Sequence, residues 1–384
     1  MIFIKRAIFE SMKKKVLPGK VLMILGARRV GKTELINHYL GEIPKEEYLK
    51  FNGEDIRHVK LFEDRSVENY KRLLNNCRLL VIDEAQKIPD SGLVLKLIAD
   101  NFRDLKIIVT GSSVFDLSNK LGEPLVGRKN TIYLYPFAQM EFQRYENIIE
   151  TKEKLEERMI FGSYPELEQY ADWNDKQNYL YEMINSYLLR DILVFDGIRQ
   201  SDKIIDLLRL IAFQTGKEVS LQELGSQLNI AKNTVEKYLD LLSKVFVIFK
   251  LRGFSRNLRK EVSKMNRWYF FDNGIRNAII GNFNRLNLRN DVGELWENYL
   301  VSERIKFQSI TGRISSNYFW RTYTQQEIDW VEEENGALRA YEFKWNIKKK
   351  PKAPNSWTEA YPDSEYSVIS QENYLDFVTL NKKF

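Results

Sequence analysis

Cysteine is nearly absent: Cys77 is the one example in 384 residues. No intrachain disulfide can form and no cysteine-based zinc cage can be built, so a reducing, cytoplasmic setting is expected. The two histidines, His38 and His58, have no neighbouring constellation that would make either a metal ligand or a general base. His38 reads as structural. No apolar run approaches the ~20 residues that a membrane helix needs. The opening Met1-Ile2-Phe3-Ile4-Lys5-Arg6 has no long apolar stretch behind it, so secretion and membrane spanning are not expected. Low-complexity tracts and internal repeats are lacking too, which excludes a solenoid. Neither sign of charge dominates, with 59 Lys and Arg against 53 Asp and Glu for a net charge of +6. That balance permits a nucleic-acid partner without demanding one.

What is present begins at residue 26. Gly26-Ala27-Arg28-Arg29-Val30-Gly31-Lys32-Thr33 is a complete phosphate-binding P-loop. The apolar run Lys20–Leu25 before it reads as a buried parallel strand, and Thr33–Leu40 after it carries apolar residues at helical spacing. Strand, glycine loop and helix follow in the order the chemistry requires. Glycines let backbone N–H groups curl around phosphate oxygens, and the helix N-terminus adds favourable partial charge. Lys32 would hold the β- and γ-phosphates of ATP, and Thr33 would place its hydroxyl on Mg2+.

Arg78-Leu79-Leu80-Val81-Ile82-Asp83-Glu84 is a strand-forming run that ends in two carboxylates. Asp83 would hold the magnesium shell, and Glu84 would orient and polarise the attacking water. A third strand, Leu105–Val109, leads into Thr110-Gly111-Ser112-Ser113. Those hydroxyls either report on the γ-phosphate or cap a helix.

The loop from Gly26 to Thr33, the segment Asp83-Glu84-Ala85-Gln86-Lys87-Ile88-Pro89, Thr110–Ser113 and Gly127-Arg128 together resemble the prokaryotic AAA-type ATPases that carry a C-terminal domain of unknown function. The resemblance covers nearly the whole chain. It implies that an arginine after the third strand acts on the γ-phosphate, in cis or from a neighbouring subunit, which makes Arg128 a candidate and an oligomer an option. A surface ion pair is the equal alternative for Arg128. Tyr187-Leu188-Leu189-Arg190-Asp191 also matches the family pattern, with Arg190 and Asp191 read as a structural ion pair.

Alternating strand and helix patterns from about Lys20 to Glu141 predict a parallel α/β domain. Residues 1–145 are expected to form the P-loop ATPase core and 146–200 a helical lid. Ile204, Ile205, Leu207, Leu208, Ile211 and Ala212 then form one helical stripe. Ser220-Leu221-Gln222-Glu223 is a capping box opening a second helix, and Lys232 begins a third after the short Asn229-Ile230-Ala231 connection. So tight a turn reads as helix-turn-helix, and strands at Val245–Leu251 and Arg267–Phe271 would make residues 201–285 a winged one. Lys232, Asn233, Thr234 and Lys237 would form its recognition surface. Arg252, Arg256, Arg259, Lys260 and Lys264 would lie on or near the wing, where several cations could track the phosphates of DNA or RNA. Protein contact is the other use of such a module.

Residues 286–384 hold a second possible chemical site. Glu327–Lys344 reads as two strands around Asn335-Gly336, a preferred two-residue hairpin turn. Counting outward sets Asp329 opposite Glu342 and Glu327 opposite Lys344. Strict alternation would put these four on one face, with Ile328, Trp330, Tyr341 and Phe343 on the other. Asp329, Glu342-Phe343-Lys344 resembles the site of restriction-endonuclease-like folds, and Glu294, in the helical stretch Gly293–Leu300, resembles the acidic helix residue that completes it. Asp329, Glu342 and Glu294 would hold magnesium there, and Lys344 would help activate a water against a phosphodiester. A Glu327–Lys344 ion pair explains part of the pattern without catalysis. The expected whole is an α/β AAA-type P-loop ATPase, followed by a winged helix and a restriction-endonuclease-like α/β domain. Two functional classes stand: an ATP-driven switch acting on nucleic acid, and an ATP-regulated nuclease. A non-catalytic scaffold is a weaker third.

Overall fold

The computed structural model describes residues 4–112, 125–188, 201–255, 266–347 and 351–380. Two compact units emerge, one of Lys5–Tyr135 with Lys244–Phe246, the other of Met1–Ile4, Pro136–Ser243 and Val247–Phe384. Among the described residues no helix is long and apolar enough to cross a membrane.

In the first unit, β1 (Val21–Leu25), β2 (Tyr48–Asn52), β3 (Leu79–Asp83), β4 (Lys106–Gly111) and β5 (Lys129–Tyr133) form a five-stranded sheet in the order β2-β3-β4-β1-β5. Every neighbouring pair is parallel. β1 and β3 are buried along their whole length, as continuous apolar strands are when both faces of a parallel sheet are covered. This is the expected α/β fold of a P-loop NTPase. Because Ile82 pairs with Val109 and Leu25 with Gly111, the carboxyl ends of β1, β3 and β4 share one edge. Both histidines make structural contacts: His38 packs on the Phe9 ring, with centroids 4.6 Å apart, and His58 Nδ1 accepts from the Asn52 N–H at 3.1 Å.

The second unit carries β6 (Glu218–Val219), β7 (Ile248–Gly253), β8 (Asn266–Phe270), β9 (Ser316–Arg321), β10 (Glu327–Glu334), β11 (Ala337–Phe343) and β12 (Glu365–Ile369). They make one seven-stranded sheet in the order β12-β11-β10-β9-β7-β8-β6. Helices Ser201–Phe213, Leu221–Leu228 and Lys232–Lys244 precede β7. Ser220 caps the second of these through the Glu223 N–H, and Asn229 closes it at φ 52°. The strands expected as a wing, β7 and β8, pair antiparallel, and β7 also runs parallel to β9, pairing Arg252 with Tyr318 and Gly253 with Phe319. Arg256, Arg259, Lys260 and Lys264, like Ser113, Leu189, Arg190 and Asp191, lie outside the described residues.

The hairpin turns at Asn335 and Gly336, with φ 51° and 83°, and Glu334 pairs with Ala337 as counted from the sequence. One residue of β10 is extra: Ile328 pairs with Trp320 but Val331 with Tyr318, so Asp329 and Trp330 together oppose Phe319. This β-bulge breaks the period of two. Ile328 and Val331, three apart, enter the same apolar cluster with Leu338 and Ala340.

Candidate functional site

The glycine loop joins the end of β1 to the helix Lys32–Leu40. A Cβ on Gly26 would lie 2.0 Å from the Leu134 carbonyl oxygen, so only glycine fits there. Gly31 adopts φ 90° immediately before the helix, and Arg29 adopts φ 62°. Leu35, Ile36, Tyr39 and Leu40 bury one face of that helix and anchor the loop's exit. The Arg6 guanidinium braces the loop from outside, donating to the Val30 carbonyl at 2.9 Å and the Tyr135 carbonyl at 2.8 Å.

Lys32 is buried, and its ammonium spans the loop to the carbonyls of Gly26 at 2.9 Å and Ala27 at 2.8 Å. Next to it, the Thr33 hydroxyl donates to Asp83 Oδ2 at 2.8 Å. The other oxygen of Asp83 accepts from the Thr110 hydroxyl. Thr110 in turn accepts from the Glu84 N–H at 2.8 Å. The structure thus gathers Gly26–Thr33, Asp83, Glu84 and Thr110 at one edge of the sheet. A hard, oxygen-seeking cation fits the donor set of a threonine hydroxyl touching a buried carboxylate.

Arg128 is not gathered there. Its carbonyl accepts from the Val21 N–H, at the start of β1, roughly 13 Å of strand from the loop at ~3.3 Å per residue. Its side chain pairs with Asp100 at 2.5 Å. In this chain the ion-pair alternative describes Arg128.

Glu327 and Asp329 of β10 and Lys344, just past β11, line a pocket of about 600 Å³ together with Arg267, Glu294 and Glu297, and Glu342 is not in that lining. The bulge lies between β10 and β9, and the β10–β11 register holds from the turn through Trp330 and Tyr341. Asp329 Oδ2 accepts from the Phe343 N–H at 2.8 Å. The cross-strand pair of Glu327 with Lys344 does not form: Glu327 pairs with Arg267 at 2.8 Å, and Lys344 with Glu342 at 2.6 Å. Glu294 lines the pocket but pairs with Lys217 at 3.2 Å.

Two residues that the sequence reading passed over dominate this pocket, Glu297 and Arg267. Asn298 is fully buried and clasps the Phe270 backbone, accepting from its N–H at 2.8 Å and donating to its carbonyl at 3.2 Å. That clasp holds the helix Val292–Thr311 against β8 and brings Glu297 to the Tyr269 hydroxyl, which donates to it at 2.6 Å. Arg267 then lies among three carboxylates, 2.8 Å from Glu327, 3.8 Å from Glu297 and 3.9 Å from Asp329. Burial raises the Glu297 and Asp329 carboxyls above their ordinary range; Glu327 and Glu342 add to this at Glu297, Glu297 and Glu342 add to it at Asp329, and Arg267 opposes it at both. Glu297 was legible as the next acidic residue one helical turn beyond Glu294. Arg267 had no signal in the sequence beyond its place in a strand.

Among the described residues no three His, Cys, Asp or Glu side chains converge as a group able to hold a metal. Arg267 sets one positive charge among three carboxylates, and the Phe343 N–H and the Tyr269 hydroxyl each take up one acceptor site.

Comparison with known proteins divides the chain in three. Residues 18–143 match the family described as AAA domain. That stretch holds the glycine loop and all five strands of the first sheet. Residues 152–286 match a domain of unknown function (DUF8612), and residues 292–380 match another (DUF4143). An uncharacterized protein of Methanocaldococcus jannaschii is 24% identical over 395 residues, covering 98% of this chain and 86% of that one. Another, of Mycobacterium tuberculosis, is 24% identical over 383 residues, covering 96% and 80%. Among solved structures, AMPPCP-bound DnaA from Aquifex aeolicus is similar with a TM-score of 0.30 and 16% identity, covering 63% of this chain and 89% of that one. Pif1 helicase from Candida albicans is similar with a TM-score of 0.28 and 15% identity, over 48% of each.

Proposed function

We propose that the AAA-type domain binds ATP with Mg2+ and hydrolyses it, and that turnover drives a module acting on nucleic acid. The observation that carries the reading is the Thr33–Asp83 contact of 2.8 Å beside a glycine loop spanned by Lys32. Backbone N–H groups of Gly26–Thr33 and the Lys32 ammonium would grip the phosphates. Thr33 and Asp83 would hold Mg2+, which when bound offsets the charge of the phosphate oxygens. Glu84 would take a proton from the attacking water.

The rest of the chain supplies the module, with 146–200 as a lid, 201–285 as a winged helix and 286–384 as a restriction-endonuclease-like domain. The succession of helix, short strand, two helices and two strands, with β8 between β6 and β7, supports the winged-helix reading. Lys232, Asn233 and Lys237 are exposed on its third helix and Thr234 is half-buried. These cations suit phosphate contact.

A nuclease is the second reading, favoured by the meeting of Glu297, Asp329 and Lys344 in one pocket and opposed by the guanidinium among its carboxylates. One experiment tests both. Purified protein is given Mg2+, ATP and labelled DNA or RNA. Wild type is expected to release phosphate and to shift the nucleic acid without cutting it, and Lys32→Ala to lose turnover. Turnover persisting in Lys32→Ala would refute the ATPase site. Cutting that disappears in Asp329→Ala and Lys344→Ala would establish the nuclease.

A further inference from the structure

Gln86 sits in the short turn Ala85–Lys87 that follows β3, and it is 5% exposed. Its Nε2 donates to Glu84 Oε2 at 2.5 Å and to the Ser112 hydroxyl at 3.2 Å. The orientation of the amide follows from the partners. Turned over, it would set its oxygen against a carboxylate, two acceptors with no proton between them. The remaining oxygen, Gln86 Oε1, is buried and has no donor among the described residues. A buried amide oxygen in that position calls for an explanation.

The surroundings supply one. Glu84 is held at φ 51°, and its N–H is bound to the Thr110 hydroxyl at 2.8 Å. With the backbone fixed, the side-chain torsions are the freedom left to the carboxylate, and the Gln86 amide takes it. Ser112 directly follows β4, whose last carbonyl, that of Gly111, accepts from the Gly26 N–H at 3.3 Å. Gln86 therefore connects Glu84 to the strand end that touches the first glycine of the loop.

We infer that Gln86 is a positioning residue of the hydrolytic site, setting the rotation of the Glu84 carboxylate and coupling it to Ser112. The inference rests on the ATPase reading above. With Glu84 Oε2 engaged by the amide, Glu84 Oε1 is the carboxylate oxygen left to accept from the attacking water. In the step this serves, the water oxygen bonds to the γ-phosphorus, the bond to the ADP oxygen breaks, and a water proton passes to Glu84.

The test uses the full chain with Gln86→Met, which keeps the length of the side chain and removes both hydrogen-bonding groups. Steady-state ATP turnover and the affinity for a fluorescent ATP analogue are measured together. A misplaced base costs on the order of a hundredfold in rate, so kcat is expected to fall by that order while analogue Kd stays within about twofold, a split that follows from losing orientation but not binding. In a Glu84→Gln background the same substitution is expected to lower the residual rate by less than about twofold, because partners in one network are not additive. Should Gln86→Met fail to fold, Gln86→Asn carries the same expectation, since its shorter arm cannot reach Glu84. Unchanged kcat, or an equal loss with and without Glu84, overturns the inference while wild-type turnover keeps the parent reading alive. Wild type without turnover overturns both.

Discussion

At the scale of single residues, charge is settled by contacts both near and far along the chain. Asp291 accepts from Arg289 at 2.8 Å and from Arg276 at 2.5 Å. Burial pushes its carboxyl up, but those guanidinium hydrogen bonds prevail and hold it at about 2, below the ordinary 3.8. A depressed carboxyl stabilises the fold above its unfolded value and loses that contribution as pH falls through the folded value. Asp291→Asn is therefore expected to cost on the order of 2 kcal/mol at neutral pH. In urea melts the deficit should shrink as pH drops from 3.8 toward 2. A deficit independent of pH would mean that packing, not charge, carries the residue. Gln86 belongs to the same scale, where one amide sets one carboxylate.

Secondary-structure elements show how one inserted residue reorganises a site. The bulge in β10 lets Ile328 join Val331 in the apolar cluster and leaves Asp329 hydrogen-bonded to the β11 backbone. Farther along β10, Glu332 is fully buried and accepts from Arg304 at 2.5 and 2.8 Å, Trp330 at 2.9 Å and Gln308 at 2.9 Å. This joins the strand to the helix Val292–Thr311 and, through the Arg304 bond to the Phe377 carbonyl, to Tyr374–Val378. Removing one member of a buried pair strands the other charge, so Glu332→Ala is expected to cost about 3–5 kcal/mol. Glu333→Ala, on the neighbouring half-buried position, should cost under about 1 kcal/mol. Chemical denaturation compares the two, and similar losses would refute the role given to Glu332.

For the whole molecule, two compact units imply that heat need not unfold the chain in one step. A ligand stabilises what it binds, by about 2.7 kcal/mol at a hundred times its Kd. Calorimetry with Mg2+ and a non-hydrolysable ATP analogue is expected to raise the transition of the Lys5–Tyr135 unit, and Lys32→Ala should abolish the rise. A shift that survives in Lys32→Ala would place binding elsewhere.

Much of the candidate nucleotide site was legible because its residues are local. Gly26 to Thr33 is contiguous, the strand-plus-carboxylates pattern that ends in Asp83-Glu84 is a short period signal, and the hairpin at Asn335-Gly336 follows from two residues that accept positive φ. The second pocket was only partly legible, since a bulge has no marker in an alternating pattern and alters how β10 meets β9, while the register with β11 follows the count from the turn through Trp330 and Tyr341. The amino-acid order alone determined which strands are buried and where the glycine loop turns into its helix, because burial period and loop conformation act over a few neighbours. Tertiary structure alone decided that Arg267 stands among carboxylates, that Glu297 joins them, that Arg128 turns to Asp100 and that Gln86 reaches both Glu84 and Ser112. These are contacts across strands and helices, and they come into being when the sheets assemble and exclude water, which makes paired charges and satisfied hydrogen bonds obligatory.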